Sequence, residues 1–399
     1  MFKKFISIII LFLSPHKLQA EGVECDLARE FLVKASDIRK LEIKASVPCL
    51  LQNKEQVKAY LLAVIEEQLP PDKLRYEEFV YKKIGFFPQD FDYKQGIVEL
   101  YLSQIGGYYD PKKKRFIMAD WLPETMQTSI AVHELTHALQ DQYYDLDKFI
   151  DPKIENADTI LARSALVEGD ASAVMHDYLR EHSGQLPIAD EADIDDLVLA
   201  TVAASHFSAS SVPKSMRMVL IFPYTSGLRF VHSIIKEKGY AGLHEVYNNP
   251  PRSTEEILYP EKYLRAEADF IEFNKEDLES YLSEGHDKLY QDTLGQLGIM
   301  ALLSMYDLKQ AEIKQASDGW GGDRIMLFAK DGQKVIIWKS NWDQESDRAE
   351  FQRAFYQTLK QRFPAANEKE FETEDGDLWK IKSASKSLTV KVFIGRSSQ

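Results

Sequence analysis

The chain has only two cysteines in 399 residues, Cys25 and Cys49, so at most one intrachain disulfide is available. No run beyond the first twenty residues approaches the ~20 apolar residues of a membrane span. There is no surplus of basic charge. Lys and Arg number 49 against 63 Asp and Glu, a formal charge of −14. That balance argues against nucleic acid and against anionic lipid as partners. Internal repeats and low-complexity tracts are also missing. What remains is ordinary globular sequence, 44% hydrophobic and 28% charged, long enough for two or three domains.

The first twenty residues differ from the rest. Lys3 and Lys4 form a basic start, residues 5–13 a short apolar run, and residues 14–20 a polar stretch ending in Ala20. This reads as a secretory signal peptide cut near Ala20, with an uncleaved anchor as the alternative. No cysteine sits at the cut, which argues against a lipidated amino terminus. Removing residues 1–20 removes three lysines and no acid, leaving 46 − 63 = −17. The expectation is an exported protein, periplasmic or secreted. In that oxidising compartment Cys25 and Cys49 form either one disulfide pinning the amino-terminal segment or two free thiols.

Residues 39–47 alternate weakly, like a strand. Asn53 is placed to cap a helix over 54–68, which Pro70-Pro71 stops. Residues 72–84 and 91–102 look helical. A β-hairpin is expected over 107–118, with the basic run 111–114 as its turn. Two helices fill 126–182, an acidic loop follows over 183–196, and helical signal returns over 197–209, 214–220 and 225–238. Ser253 can cap a short helix over 255–258. Residues 277–305 read as a long helical stretch and the glycine-rich 318–324 as a loop. A hairpin turned at Asp331-Gly332, a helix over 348–363 and two strands end the chain. The expected organisation is a signal peptide (1–20), a first domain (21–275) and a C-terminal α+β region (276–399) that carries no chemistry of its own.

The strongest feature is His133-Glu134-Leu135-Thr136-His137. On a helix, positions four apart share a face. His133 and His137 can therefore aim two imidazole nitrogens at one zinc ion, while Glu134 sits one step round, placed to act on a water rather than on the metal. No Gly or Pro interrupts 126–144, and Ile130, Ala131, Val132, Leu135, Ala138 and Leu139 favour a buried helix. A catalytic zinc needs a third protein ligand and an open position. Glu168, in the second helix, is the choice. The glycine after it lets another backbone approach closely.

With these residues the chain resembles the gluzincin superfamily of zinc metallopeptidases, whose mark is H-E-x-x-H followed by a glutamate on a later helix. Locally it is most similar to the aminopeptidase N type. Glu168-Gly169-Asp170-Ala171-Ser172 matches the surroundings of that type's third ligand, and Pro223-Tyr224-Thr225-Ser226-Gly227 matches its P-Y-x-x-G. The resemblance covers about residues 95–245. It implies a zincin-like fold, mostly helical with a small edge sheet, and a hairpin whose edge could pair with an extended peptide. It also implies Zn2+ held by His133, His137 and Glu168, Glu134 as general base, and Tyr224 as the donor to the oxyanion. The family's G-x-M-E-N stretch, which binds a substrate amino terminus, is absent, so an endopeptidase is expected rather than an aminopeptidase. Asp141 and Asp170 are candidates for supporting a ligand from behind. The leading expectation is an exported zinc metallopeptidase acting on peptides or proteins. The alternatives are a zinc hydrolase of a non-peptide amide or ester, and a zincin-like binding or scaffold protein without turnover.

Overall fold

The computed structural model describes residues 23–395 apart from 69–70, 152–153, 207–211, 267–269, 274, 281, 283–284 and 368. The expected signal peptide lies outside the described residues. The fold is α+β, with two sheets among them.

The first sheet joins β1 (Val23–Glu24), β2 (Cys49–Gln52), β3 (Gly107–Asp110) and β4 (Arg115–Ala119) in the order β1-β2-β4-β3. β2 runs parallel to β4, and β3 pairs antiparallel with β4 as the expected hairpin. Cys25 and Cys49 are bonded, with their Cα atoms 5.1 Å apart. The bond closes a short loop, which is worth roughly 3 kcal/mol against the unfolded chain. It ties β2 to the start of helix α1 (Leu27–Arg39). Residues 39–47 were expected to be a strand, and that expectation is corrected. Ala28, Phe31, Leu32 and Ala35 form a buried stripe at helical spacing. The helix ends at Arg39 because Lys40 turns left-handed, its N–H returning to Ser36 O.

Helices α2 (Lys54–Gln68), α3 (Pro71–Ile84) and α4 (Tyr93–Gln104) follow. Asn53 caps α2 as expected. Its Oδ1 accepts from Gln56 N at 3.0 Å, and Gln56 Oε1 accepts from Asn53 N at 2.9 Å. Helix α5 (Glu124–Tyr144) carries the HELTH sequence and packs against α1 and β3. Helix α6 (Ala157–His182) is capped by Asn156, which accepts from Thr159 N at 3.1 Å. Helix α7 (Asp195–His206) leads to α8 (Lys214–Lys238), which is one helix where two were expected. Pro223 removes a donor inside it, yet burial on both sides holds the helix continuous, and Thr225 Oγ1 donates back to Ile221 O at 3.0 Å. Among the described residues α8 alone is long and apolar enough to cross a membrane, but 61% of its apolar window is buried inside the protein.

The second sheet has six strands in antiparallel order β5-β6-β7-β10-β9-β8. They are β5 (Asp287–Asp292), β6 (Trp320–Lys330), β7 (Gln333–Trp342), β8 (Glu370–Glu372), β9 (Leu378–Ala384) and β10 (Ser387–Phe393). Helices α9 (Gly295–Leu303), α10 (Gln310–Ser317) and α11 (Glu345–Arg362) accompany it. Phe351 and Phe355 of α11 meet Trp338 on one face of the sheet. Two expectations are corrected here. Residues 277–305 hold strand β5 and the short helix α9, not one long helix. The glycine-rich 320–324 begins β6, where the register shifts between Trp320 and Asp323. Gly322 is there because a Cβ would lie 2.2 Å from Ile271 O, not because the chain loops.

One apolar core runs from α3 and α4 through α6 and α8 into the second sheet. A second, holding Phe31, Phe116, Val132, Leu135 and Tyr178, lies between α1, the first sheet and α5. In the larger core, Asp323 of β6 is buried and accepts four hydrogen bonds. Leu294 N (3.1 Å), Gly295 N (2.9 Å), Trp320 Nε1 (3.1 Å) and Trp338 Nε1 (3.0 Å) supply them.

Candidate metal centre

Helices α5 and α6 pack side by side, and their facing residues bring His133, His137 and Glu168 together. All three are buried, and one ligand atom from each lies within 4.8 Å of the others. Glu168 Oε2 is 3.1 Å from His133 Nε2 and 3.4 Å from His137 Nε2, and the two Nε2 atoms are 3.2 Å apart. Glu168 Oε1 is buried without a hydrogen-bond partner. Burial alone drives the Glu168 carboxyl upward, but His137 and His133 outweigh it and hold it down at about 2. Burial lowers His137, and Glu168 beside it more than compensates, carrying it up to about 9. Three converging lone-pair donors and an orphaned carboxylate oxygen fit a divalent cation.

The back of the site fixes the ring of His137. Its Nδ1 lies 2.8 Å from Gln140 Oε1, one helical turn on. Gln140 Nε2 in turn donates to Val167 O and to Asp170 Oδ2, each at 3.0 Å. A carbonyl acceptor at Nδ1 selects the tautomer with its proton there, which frees Nε2 as a lone pair. Asp170 is held by Tyr247 OH at 3.0 Å and by Arg39 Nε at 2.7 Å, an ion pair with both partners buried. Of the two supporting aspartates expected from sequence, Asp170 reaches His137 through Gln140. Asp141 faces elsewhere and accepts from Tyr109 OH (2.8 Å) and Lys114 Nζ (2.6 Å).

Glu134 is 5% exposed, and its Oε2 accepts from the backbone N–H of Tyr109 at 2.9 Å. Tyr109 lies on the edge strand β3, so the hairpin and the metal helix meet at this carboxylate. Burial raises the Glu134 carboxyl above its ordinary range, against the pull of His137 and His133. That shift suits a group that must take up a proton.

Tyr224, on α8, is half-buried, and its ring lies 6.2 Å from that of His133 at 28°. Its position follows from a close helix crossing. A Cβ on Gly169 would be 2.2 Å from Gly227 O, and one on Gly227 would be 2.1 Å from Ala165 O. The glycines of E-G-x-A-S and P-Y-x-x-G thus meet each other, and backbone contact between α6 and α8 sets Tyr224 against the ligand set. His232, further along α8, lies near Ile188 and binds its carbonyl at 2.9 Å.

Gln140, Arg39 and the Tyr109 amide were not singled out by sequence. For Gln140 the signal was present, since a residue three after His137 shares its face. Arg39 comes from a distant segment and no local pattern joins it to the site, whereas Tyr109 lies in the hairpin expected to edge the cleft, its amide bond to Glu134 alone being unforeseen.

Residues 283–396 match the family described as Domain of unknown function (DUF8575). No curated protein and no solved structure matches the chain.

Proposed function

We propose that this protein is a zinc-dependent metallopeptidase of zincin-like fold, exported, cleaving peptides or proteins internally. The observation that carries the reading is the convergence of His133, His137 and Glu168 with an orphaned Glu168 oxygen, beside an independently anchored Glu134. His133, His137 and Glu168 would hold the ion. When bound, it polarises a substrate carbonyl and brings the pKa of a water from ~15.7 toward ~7. Glu134, raised by burial, accepts a proton from the attacking water and passes it to the leaving amine, a contribution of typically ~10²–10⁴ in rate. The Tyr109 amide holds Glu134 Oε2, leaving Oε1 to move the proton. Tyr224, beside His133, donates its hydroxyl to the developing oxyanion. The Cys25–Cys49 bond supports an oxidising compartment.

The test is metal analysis of the purified protein with a peptide-library digest, run beside Glu134→Gln. The expected result is one zinc per chain in both proteins and internal cleavage by the unsubstituted protein alone. Glu134 is no ligand, so the variant keeps metal and fold while turnover falls by ~10²–10⁴. A metal-free protein, or an equally active Glu134→Gln, would sink the reading.

A further inference from the structure

Away from the metal centre, a cavity of about 370 Å³ opens where the loop after α3, the end of α11 and the turn between β8 and β9 meet. Its apolar walls are Phe87, Pro88, Phe363 and Trp379. Two of its buried donors have nothing to bind. Arg362 Nη2 donates to Lys83 O at 2.7 Å, but Nη1 is buried without a partner. Trp379 is 1% exposed, and its Nε1 is likewise buried and unpartnered. The guanidinium lies 5.7 Å from the Trp379 ring centre, so the two side chains are neighbours in the cavity wall.

The charge there is only partly compensated. The nearest buried carboxylate, Asp377, is taken: Oδ2 binds Lys83 Nζ at 2.5 Å and Oδ1 accepts from Gly395 N at 3.0 Å. Asp375 stands at the exposed rim. Asp377 is in contact with Lys83, which leaves Arg362 as a buried cation with no ion-pair contact of its own among the described residues. Burial pulls its guanidinium down, against smaller upward pulls from Tyr306 and Asp377. An unpaired buried charge and two idle donors are costly unless something else satisfies them.

We propose that this cavity binds a small monocarboxylate with an apolar or aromatic body. A carboxylate offers two oxygens to two donors and one negative charge to one positive charge. The aromatic walls suit the body, and the volume lies in the range of small-molecule sites. The carboxylate belongs to a free acid or to a peptide's C-terminal end. The site is independent of the peptidase reading and stands if that reading fails.

Calorimetric titration of the whole protein tests it, with phenylacetate, neutral phenylacetamide, inorganic phosphate and N-acetylphenylalanine as probes. Phenylacetate should bind at least ~10-fold more tightly than phenylacetamide, whose amide cannot supply the charge. Phosphate, which has no apolar body, should bind more weakly than phenylacetate. N-acetylphenylalanine binding above phenylacetate assigns the carboxylate to a peptide end, and the reverse order assigns it to a free acid. Arg362→Gln should abolish binding of the acids. Trp379→Phe keeps an aromatic face but removes the N–H together with the five-membered ring, so it should weaken them by ~10-fold, and it carries the test if the Arg362 variant misfolds. Equal binding of phenylacetate and phenylacetamide, or unchanged binding in Trp379→Phe, would overturn the proposal.

Discussion

Glu168 and Asp323 are both buried carboxylates, 1% and 2% exposed, in neighbouring parts of one core. Asp323 has four N–H donors, two on each oxygen, from two backbone amides and two tryptophans. Glu168 has two histidine nitrogens at one oxygen and nothing at the other. Depth does not distinguish them, but satisfaction does. A carboxylate whose lone pairs are all used is a brace, holding β6, β7 and the start of α9 together. One left half-used among other lone-pair donors is a site. Arg39 has an ion-pair partner in Asp170 at 2.7 Å where Arg362 has none, although Arg39 Nη2 too is buried without a hydrogen bond.

Substitution should break the comparison most sharply. His137→Ala is expected to lose stoichiometric zinc and all metal-dependent turnover while remaining folded. Asp323→Ala strands four buried donors and should lose roughly 3–5 kcal/mol of stability, with zinc per folded chain unchanged. Metal analysis and denaturant melts on the two variants decide it. If Asp323→Ala lost metal and not stability, brace and site would have to be exchanged.

A smaller effect is expected at Tyr224. Tyr224→Phe removes one hydroxyl and little volume, so kcat should fall by ~10²–10³ with a lesser change in KM. Its melting temperature should barely move. Steady-state kinetics on any cleaved peptide is the check, and an unchanged kcat removes Tyr224 from the site.

Gln140→Leu fills the same space but ends the hold on His137 Nδ1. Competition with a chelator should show zinc affinity lower by ~10–100-fold. Affinity equal to that of the unsubstituted protein would show that the ring needs no acceptor behind it.

The mildest test is pH. In the metal-free chain, burial opposes a charge on His137 and Glu168 favours it, with the net shift upward from 6.5 to about 9. A raised folded value means that the stabilisation is complete below 6.5 and disappears as pH rises through 9. The metal-free protein should therefore lose melting temperature across that window. The zinc-loaded protein, which needs a neutral His137, should not. Parallel melting curves for the two forms would remove the His137–Glu168 pair as the cause.

The centre of the molecule was the most legible part of the sequence. Helices α5 and α6 announce themselves through uninterrupted apolar spacing, and the hairpin before them through a glycine pair and a charged turn. The Asn53 cap was readable because capping is local. Errors fell where partners far along the chain decide the structure. Strand β5 contains good helix formers, but pairing with β6 holds it extended through an irregularity between Lys288 and Tyr290. The helix at 27–39 is marked in sequence only by Ala28, Phe31, Leu32 and Ala35, a short stripe that the weak alternation after it obscures. At the candidate site, His133 and His137 were readable from spacing and Glu168 from its E-G-x-A-S surroundings. Arg39 and the Tyr109 amide, which hold those side chains in place, were not, since only the fold brings them near.

The contact between Gly169 and Gly227 bears on how relatives of this chain are to be recognised. Glu168 precedes the first glycine and Tyr224 lies one helical turn before the second, so the glutamate and the tyrosine are registered to each other through space. The intervening stretch, 183–213, is relieved of that task. Changes of length there need not move the tyrosine, provided that Ile188, Ile194, Val198 and Val212 keep their places in the core. A search that fixes the interval between E-G and Y-x-x-G will therefore pass over true kin, whereas one that requires the two glycines and lets the interval float will keep them.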